Sequence, residues 1–173
     1  MSKKVFAGLG VAAALGVAIL PTIGTSAVGT TTYIKATVDS FVGCTSTNDT
    51  SANALDLGNI TAGTTGSETF KVSGSTNDPS GFTLTGTATN LTGPEEAIPY
   101  SAASVAAETA GWYVTSEGAG FSKSGNNITL ASASLTDKRS NEWTLTANVS
   151  TATTTTKGNY SGSIAWECVA NNQ

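Results

Sequence analysis

From residue 34 onward the chain alternates between apolar and small polar side chains. Ile34, Ala36 and Val38 are interleaved with Lys35, Thr37 and Asp39; Phe82, Leu84 and Ala88 with Thr83, Thr85 and Thr87. Trp143, Leu145, Ala147 and Val149 alternate with Thr144, Thr146 and Asn148, and Tyr160, Ile164, Trp166 and Cys168 with Ser161, Ser163, Ala165 and Glu167. A period of two, apolar on one face and hydroxylated on the other, is the signature of half-buried antiparallel strands. Shorter runs at 55–57, 69–73, 112–115 and 127–130 have the same character. Turn clusters separate them: Ala62-Gly63, Asn77-Asp78-Pro79-Ser80-Gly81, Gly118-Ala119-Gly120, Ser124-Gly125-Asn126-Asn127 and Lys157-Gly158-Asn159. About eight short strands at this spacing, with no strand–helix alternation, predict an all-β fold: an antiparallel β-sandwich of two sheets. Residues 93–111 lack the period and read as an exposed crossing loop, with an alanine-rich turn or two of helix at 101–110. The threonine run at 151–156 reads as a solvated connection.

The first residues follow a different rule. Lys3 and Lys4 precede an apolar run from Val5 to Leu20, Pro21 breaks it, and Thr25-Ser26-Ala27 supplies small residues. This is the tripartite layout of a secretory signal peptide, with cleavage expected after Ala27. Residues 1–27 are therefore expected to leave a single domain of residues 28–173, outside the cytoplasm and without a stable membrane anchor. Leader removal takes two of the eight basic residues and none of the twelve acids, so the remainder carries a net charge of −6. That balance argues against nucleic acid and anionic lipid as partners, since both need clustered Lys and Arg.

Two cysteines occur, Cys44 and Cys168, and an even count in an exported chain favours a disulfide between them. Closing so long a loop would stabilise the fold by on the order of 4–5 kcal/mol on chain-entropy grounds. The chain has no histidine. Serine and cysteine triads built on histidine are thereby excluded, and a two-cysteine zinc site would lack ligands. Neither a catalytic residue, nor a metal site, nor a cofactor is expected. Glu95-Glu96 reads as a solvated loop, because a glycosidase pair must converge across a cleft. The glycines read as turn glycines, with Gly43 as a flexible pivot after the first strand.

Trp143 and Trp166 fall on the apolar phase of their strands and read as core. Trp112, beside Tyr113 at the end of the long loop, is the tryptophan expected to be displayed, and the pair is the candidate contact for a glycan. Asn-x-Ser/Thr sequons begin at Asn48, Asn59, Asn90, Asn127 and Asn148, among others.

The order of these features resembles a known group. Tyr33-Ile34-Lys35-Ala36-Thr37-Val38 runs toward Cys44, and Leu55-Asp56-Leu57-Gly58 follows. A strand around Phe70 and Val72, then Phe82-Thr83-Leu84, then Gly158-Asn159-Tyr160-Ser161-Gly162-Ser163-Ile164 complete the series. This resembles the spore coat U and archaic chaperone–usher pilin group, and the likeness spans most of residues 33–169. That group usually carries its second cysteine in an early strand, near the position of Val72, whereas here it is Cys168. The resemblance implies a secreted, immunoglobulin-like sandwich that polymerises by donating an N-terminal strand, with Ile34, Ala36 and Val38 as the inward set of the donor or edge strand. Trp143-Thr144-Leu145-Thr146-Ala147 is more weakly similar to WxL-type cell-wall surface domains. The expectation is a non-catalytic cell-surface structural protein, pilin-like, whose partner is itself; the alternative is an adhesion or cell-wall glycan-binding module.

Overall fold

The computed structural model describes residues 34–172. The expected signal peptide, residues 1–27, and the first residues of the expected domain lie outside the described residues.

Among the described residues ten strands are formed in chain order: β1 (Val42–Ser46), β2 (Thr65–Thr76), β3 (Phe82–Ala88), β4 (Leu91–Thr92), β5 (Ala97–Ile98), β6 (Gly111–Thr115), β7 (Phe121–Ser124), β8 (Asn127–Ala131), β9 (Ser140–Ser150) and β10 (Ile164–Ala170). Eight of them build two four-stranded sheets, ordered β1-β2-β9-β6 and β10-β3-β8-β7, and every pairing is antiparallel. β4 and β5 make a separate two-stranded ribbon. The fold is an all-β sandwich, as the period of two predicts.

Cross-strand partners share a face, so the register decides what is buried. Phe70 and Val72 of β2 lie opposite Leu145 and Trp143 of β9. Leu84 of β3 lies opposite Leu130 of β8 and Cys168 of β10. Those inward sets, with Phe82, Ile128, Val114, Ala147 and Val149, form the core between the sheets. Outward rows are threonine and serine: Thr69 against Thr146, Thr85 against Thr129. The edge of the Trp143 ring meets Phe82 from the other sheet, with centroids 5.9 Å apart.

Not all glycines serve turns. Gly74 and Gly86 sit on the inward faces of β2 and β3. A Cβ on Gly74 would stand 2.2 Å from the Phe82 ring, and one on Gly86 would stand 2.6 Å from the Trp166 ring. These two positions are open sockets for aromatic rings. Gly81, by contrast, is a true turn residue: its φ is 86°, and its carbonyl accepts from the Asn171 N–H, pinning the chain end to the β2–β3 turn.

The crossing segment 93–111 departs from expectation. Residues 101–110 form no helix, and Ile98 and Tyr100 are buried rather than exposed. Tyr100 packs edge-on against Trp112 at 4.9 Å, closing the end of the core beneath the β4–β5 ribbon. The threonine run also begins inside: Thr151 is buried, and its hydroxyl lies 3.1 Å from the carbonyls of both Thr61 and Thr64.

Candidate functional site

A four-on-four sandwich has two open sides, each bounded by one edge strand of each sheet. Here β1 and β10 bound one side, and β6 and β7 bound the other.

On the first side the structure brings Cys44 and Cys168 together at disulfide distance, with Cα atoms 6.1 Å apart and 124 residues of chain between them. Each belongs to its strand's inward set, and each is half-buried. Among the described residues, β1 pairs only with β2 and β10 only with β3, so no described strand covers either outer flank. Of the inward residues of β10, Ile164, Trp166 and Cys168 are half-buried and Ala170 is buried, whereas those of its neighbour β3 are buried throughout. Trp166 packs against the core without being enclosed by it. Val169 adds an exposed apolar side chain, at 50 %.

Residues 34–41 form no strand. The alternating set Ile34, Ala36, Val38 is expected to be the inward face of a donor or edge strand; within its own chain it lines no edge strand. Instead Ile34 is 92 % exposed and Val38 is 83 % exposed. The physical reason is register: the pairing of β1 with β2 starts only at Val42, opposite Thr76, the last residue of β2. Upstream of it, Phe41 and Asn77 exchange hydrogen bonds and Asn77 Nδ2–H donates to the Asp39 carbonyl. Gly43 is not a pivot. It is a paired residue of β1, opposite Ser75, with the half-exposed Phe41 ring laid over it.

The second side is sealed differently. Lys123 points inward from β7, and its ammonium donates to the Val114 carbonyl of β6 at 2.8 Å. It lies 5.7 Å from the Tyr113 ring centre and 5.9 Å from that of Phe121, a cation–π seat on both rings. Burial pulls the Lys123 pKa below the ordinary lysine range. An inward-pointing lysine on an edge strand is a recognised means of blocking edge-to-edge pairing.

That arrangement also corrects the display of Trp112. The residue is 4 % exposed, and its indole N–H donates to the Thr89 carbonyl at 3.0 Å. β6 joins β9 with Trp112 opposite Val149 and Tyr113 opposite Asn148. The inward phase therefore takes Trp112 and Val114, and the outward phase takes Tyr113. Trp112 is unavailable for stacking on a sugar; Tyr113 is half-buried with Lys123 against its ring.

Glu95-Glu96 belongs to a loop, and Glu96 has a structural partner. Its Oε1 accepts from the Thr156 backbone N–H at 2.5 Å and from the Tyr160 hydroxyl at 3.2 Å. The Thr156 N–H is the chief cause holding the Glu96 carboxyl below its ordinary pKa, with Tyr160 contributing. A shallow cleft of about 560 Å³ is lined by Ser116, Glu117, Asn141, Glu142 and Trp143 among others. Glu142 there pairs with Lys71 at 2.6 Å. Among the described residues no group of three or more His, Cys, Asp or Glu is placed to hold a metal, and no helix is long and apolar enough to cross a membrane.

No protein-family model matches the chain, and neither a curated protein nor a solved structure is detectably similar to it. What the sequence reading missed at this site is Lys123 and the strand β7 that carries it. The signal was present: Phe121 and Lys123 alternate with Ser122 and Ser124. The charge on the inward phase hid it.

Proposed function

We propose that the chain is an exported, non-catalytic subunit of a cell-surface structure, joined to further copies by strand pairing. The observation that carries this reading is the exposed apolar segment: Ile34, Ala36 and Val38 alternate as a strand does, yet Ile34 and Val38 are almost fully exposed and, among the described residues, belong to no strand. A segment of this kind is a ready β-augmentation element.

The strand order supports an immunoglobulin-like reading. β1-β2-β9-β6 corresponds to strands A-B-E-D of that sandwich, and β10-β3 to F-C. Strand G would stand beside F, and among the described residues no strand stands there. The half-covered Ile164 and Trp166 are the side chains a strand in that place would cover. The Lys123 seal on the opposite side supports the same direction of assembly, since it discourages pairing at β6 and β7.

Deleting residues 28–40 tests the reading. The whole chain is expected to form fibres in electron micrographs; the truncated chain is expected to remain folded, to take up an added peptide of residues 30–40, and to form none. A truncated chain that unfolds, with a whole chain that stays monomeric at high concentration, would mean that the segment serves its own domain.

A further inference from the structure

β1 is held loosely for a sandwich strand. It pairs with one neighbour through five residue pairs, Val42 with Thr76 to Ser46 with Val72, and none of its five residues is fully buried. On its upstream side, residues 34–41 belong to no strand. On its downstream side, residues 47–64 connect it to β2 with only a three-residue turn at Ser51–Asn53. Within that connection Leu55, Leu57 and Ile60 pack against the core, so the connection stays anchored when β1 is absent. The remainder, from residue 47 to Ala54, spans about 25 Å when extended, enough to carry β1 away from its own sandwich. β1 is thus a short edge strand followed by a connection long enough to carry it to a neighbour; before it, Asp39 and Phe41 bond to Thr76 and Asn77, contacts that an exchanged strand would remake. Such elements exchange between copies at low energetic cost, because every native contact is remade in the neighbour.

The strand carries Cys44, and the position it occupies faces Cys168 of β10. Resting on the strand-exchange reading above, we propose that the exchanged element includes β1, and that Cys44 of one copy forms its disulfide with Cys168 of the next. The subunits are then joined head to tail by a covalent bond at each junction. Within one chain the same bond has the opposite effect, since it locks β1 into its own sandwich and removes it from exchange.

The chemistry is thiol–disulfide exchange with an external disulfide oxidant. The Cys44 thiolate attacks the oxidant's S–S bond, forming a mixed disulfide and releasing one oxidant thiol. The next copy's Cys168 thiolate then attacks Cys44 Sγ, forming the S–S bond between copies and expelling the second oxidant thiol. Two electrons and two protons pass from the two cysteines to the oxidant. Whichever Cys168 reaches the mixed disulfide first decides between a closed monomer and a covalent chain. Protein concentration at the moment of oxidation sets that choice.

The test mixes equal amounts of unlabelled and nitrogen-15-labelled full chain, both reduced and denatured. The mixture is refolded with oxidised glutathione over a range of concentrations and digested without reduction. Bridged Cys44–Cys168 peptides with one labelled and one unlabelled half are expected to rise with concentration toward half of all such bridges. A ladder on non-reducing gels that collapses on reduction is expected alongside. Bridges that stay wholly labelled or wholly unlabelled at every concentration would overturn the inference, as would Cys44–Cys44 bridges at equal abundance. Fibres in electron micrographs of those samples would show that strand exchange survives without the covalent junction. Absence of any association would remove both readings together.

Discussion

The two open sides of the sandwich solve one problem with different chemistry. At β6 and β7 a single lysine crosses the gap, and its ammonium caps the edge carbonyl of Val114. At β1 and β10 the Cys44–Cys168 pair, at disulfide distance, crosses the gap, but no described strand pairs with either outer flank and Trp166 and Val169 stay part-exposed. The lesson is that closing a sandwich and blunting its edge are separate tasks. A charge performs both at once, because it brings its hydration with it. A disulfide performs only the first, leaving the strand able to accept a partner.

The comparison is broken most severely by removing the covalent tie. In the monomer with the bond closed within one chain, replacing Cys44 and Cys168 together with alanine is expected to lower stability by about 4–5 kcal/mol, measured by urea denaturation, because the loop they close is very long. A loss under about 1 kcal/mol would mean that β1 and β10 are held by packing instead.

Next comes a paired tryptophan comparison. Trp112→Ala, on the lysine-sealed side, should cost about 3–5 kcal/mol, the range for truncating an enclosed large aromatic. Trp166→Ala should cost roughly 1–3 kcal/mol, because part of its ring already meets water. Equal losses would show that the β10 side is as closed as the other.

Lys123→Met keeps the apolar stem and removes the ammonium. Stability should fall by about 1 kcal/mol, one hydrogen bond's net contribution. The informative readout is association: light scattering should detect new self-association through the unblocked β6–β7 side. Unchanged scattering would show that Lys123 does not guard that edge.

The smallest effect lies outside both sides, at Glu96. Its folded pKa is depressed, so its contribution is present above the ordinary carboxylate range and is lost as pH falls through the depressed value. Exchange protection of the Thr156 amide should therefore drop on acidification. In Glu96→Gln it should be weaker at neutral pH and nearly flat with pH; a wild-type-like profile would rule out the carboxylate as its anchor.

Much of this was legible before any coordinates. Phe82–Ala88 is a strand over the span its alternation marks, and Trp143–Val149 lies within β9. Long alternating runs are self-declaring, because a one-residue slip would turn every apolar side chain to water. What the pattern left undecided has a common cause. Ile34, Ala36 and Val38 alternate just as clearly, but alternation marks readiness to pair, while pairing needs a partner in register, and β2 ends opposite Val42. Leu55 and Leu57 pack half-buried without entering a ladder for want of a neighbouring strand. Trp112 looked displayed because it follows a long loop, yet phase within β6 set its direction. Lys123 was invisible because hydrophobic pattern treats an inward charge as noise, although its stem is apolar and its head finds a carbonyl.

By itself, then, the sequence determined the strands with strong alternation, the layered all-β class and the identity of the bridging cysteines. These depend on local period and on elimination. Only the tertiary structure decided which strands became edges, that both cysteines lie on the same open side, and that a lysine guards the other. Edge position is a property of neighbours brought together from distant parts of the chain. No window of residues contains it, because β1 and β10 meet across 124 positions.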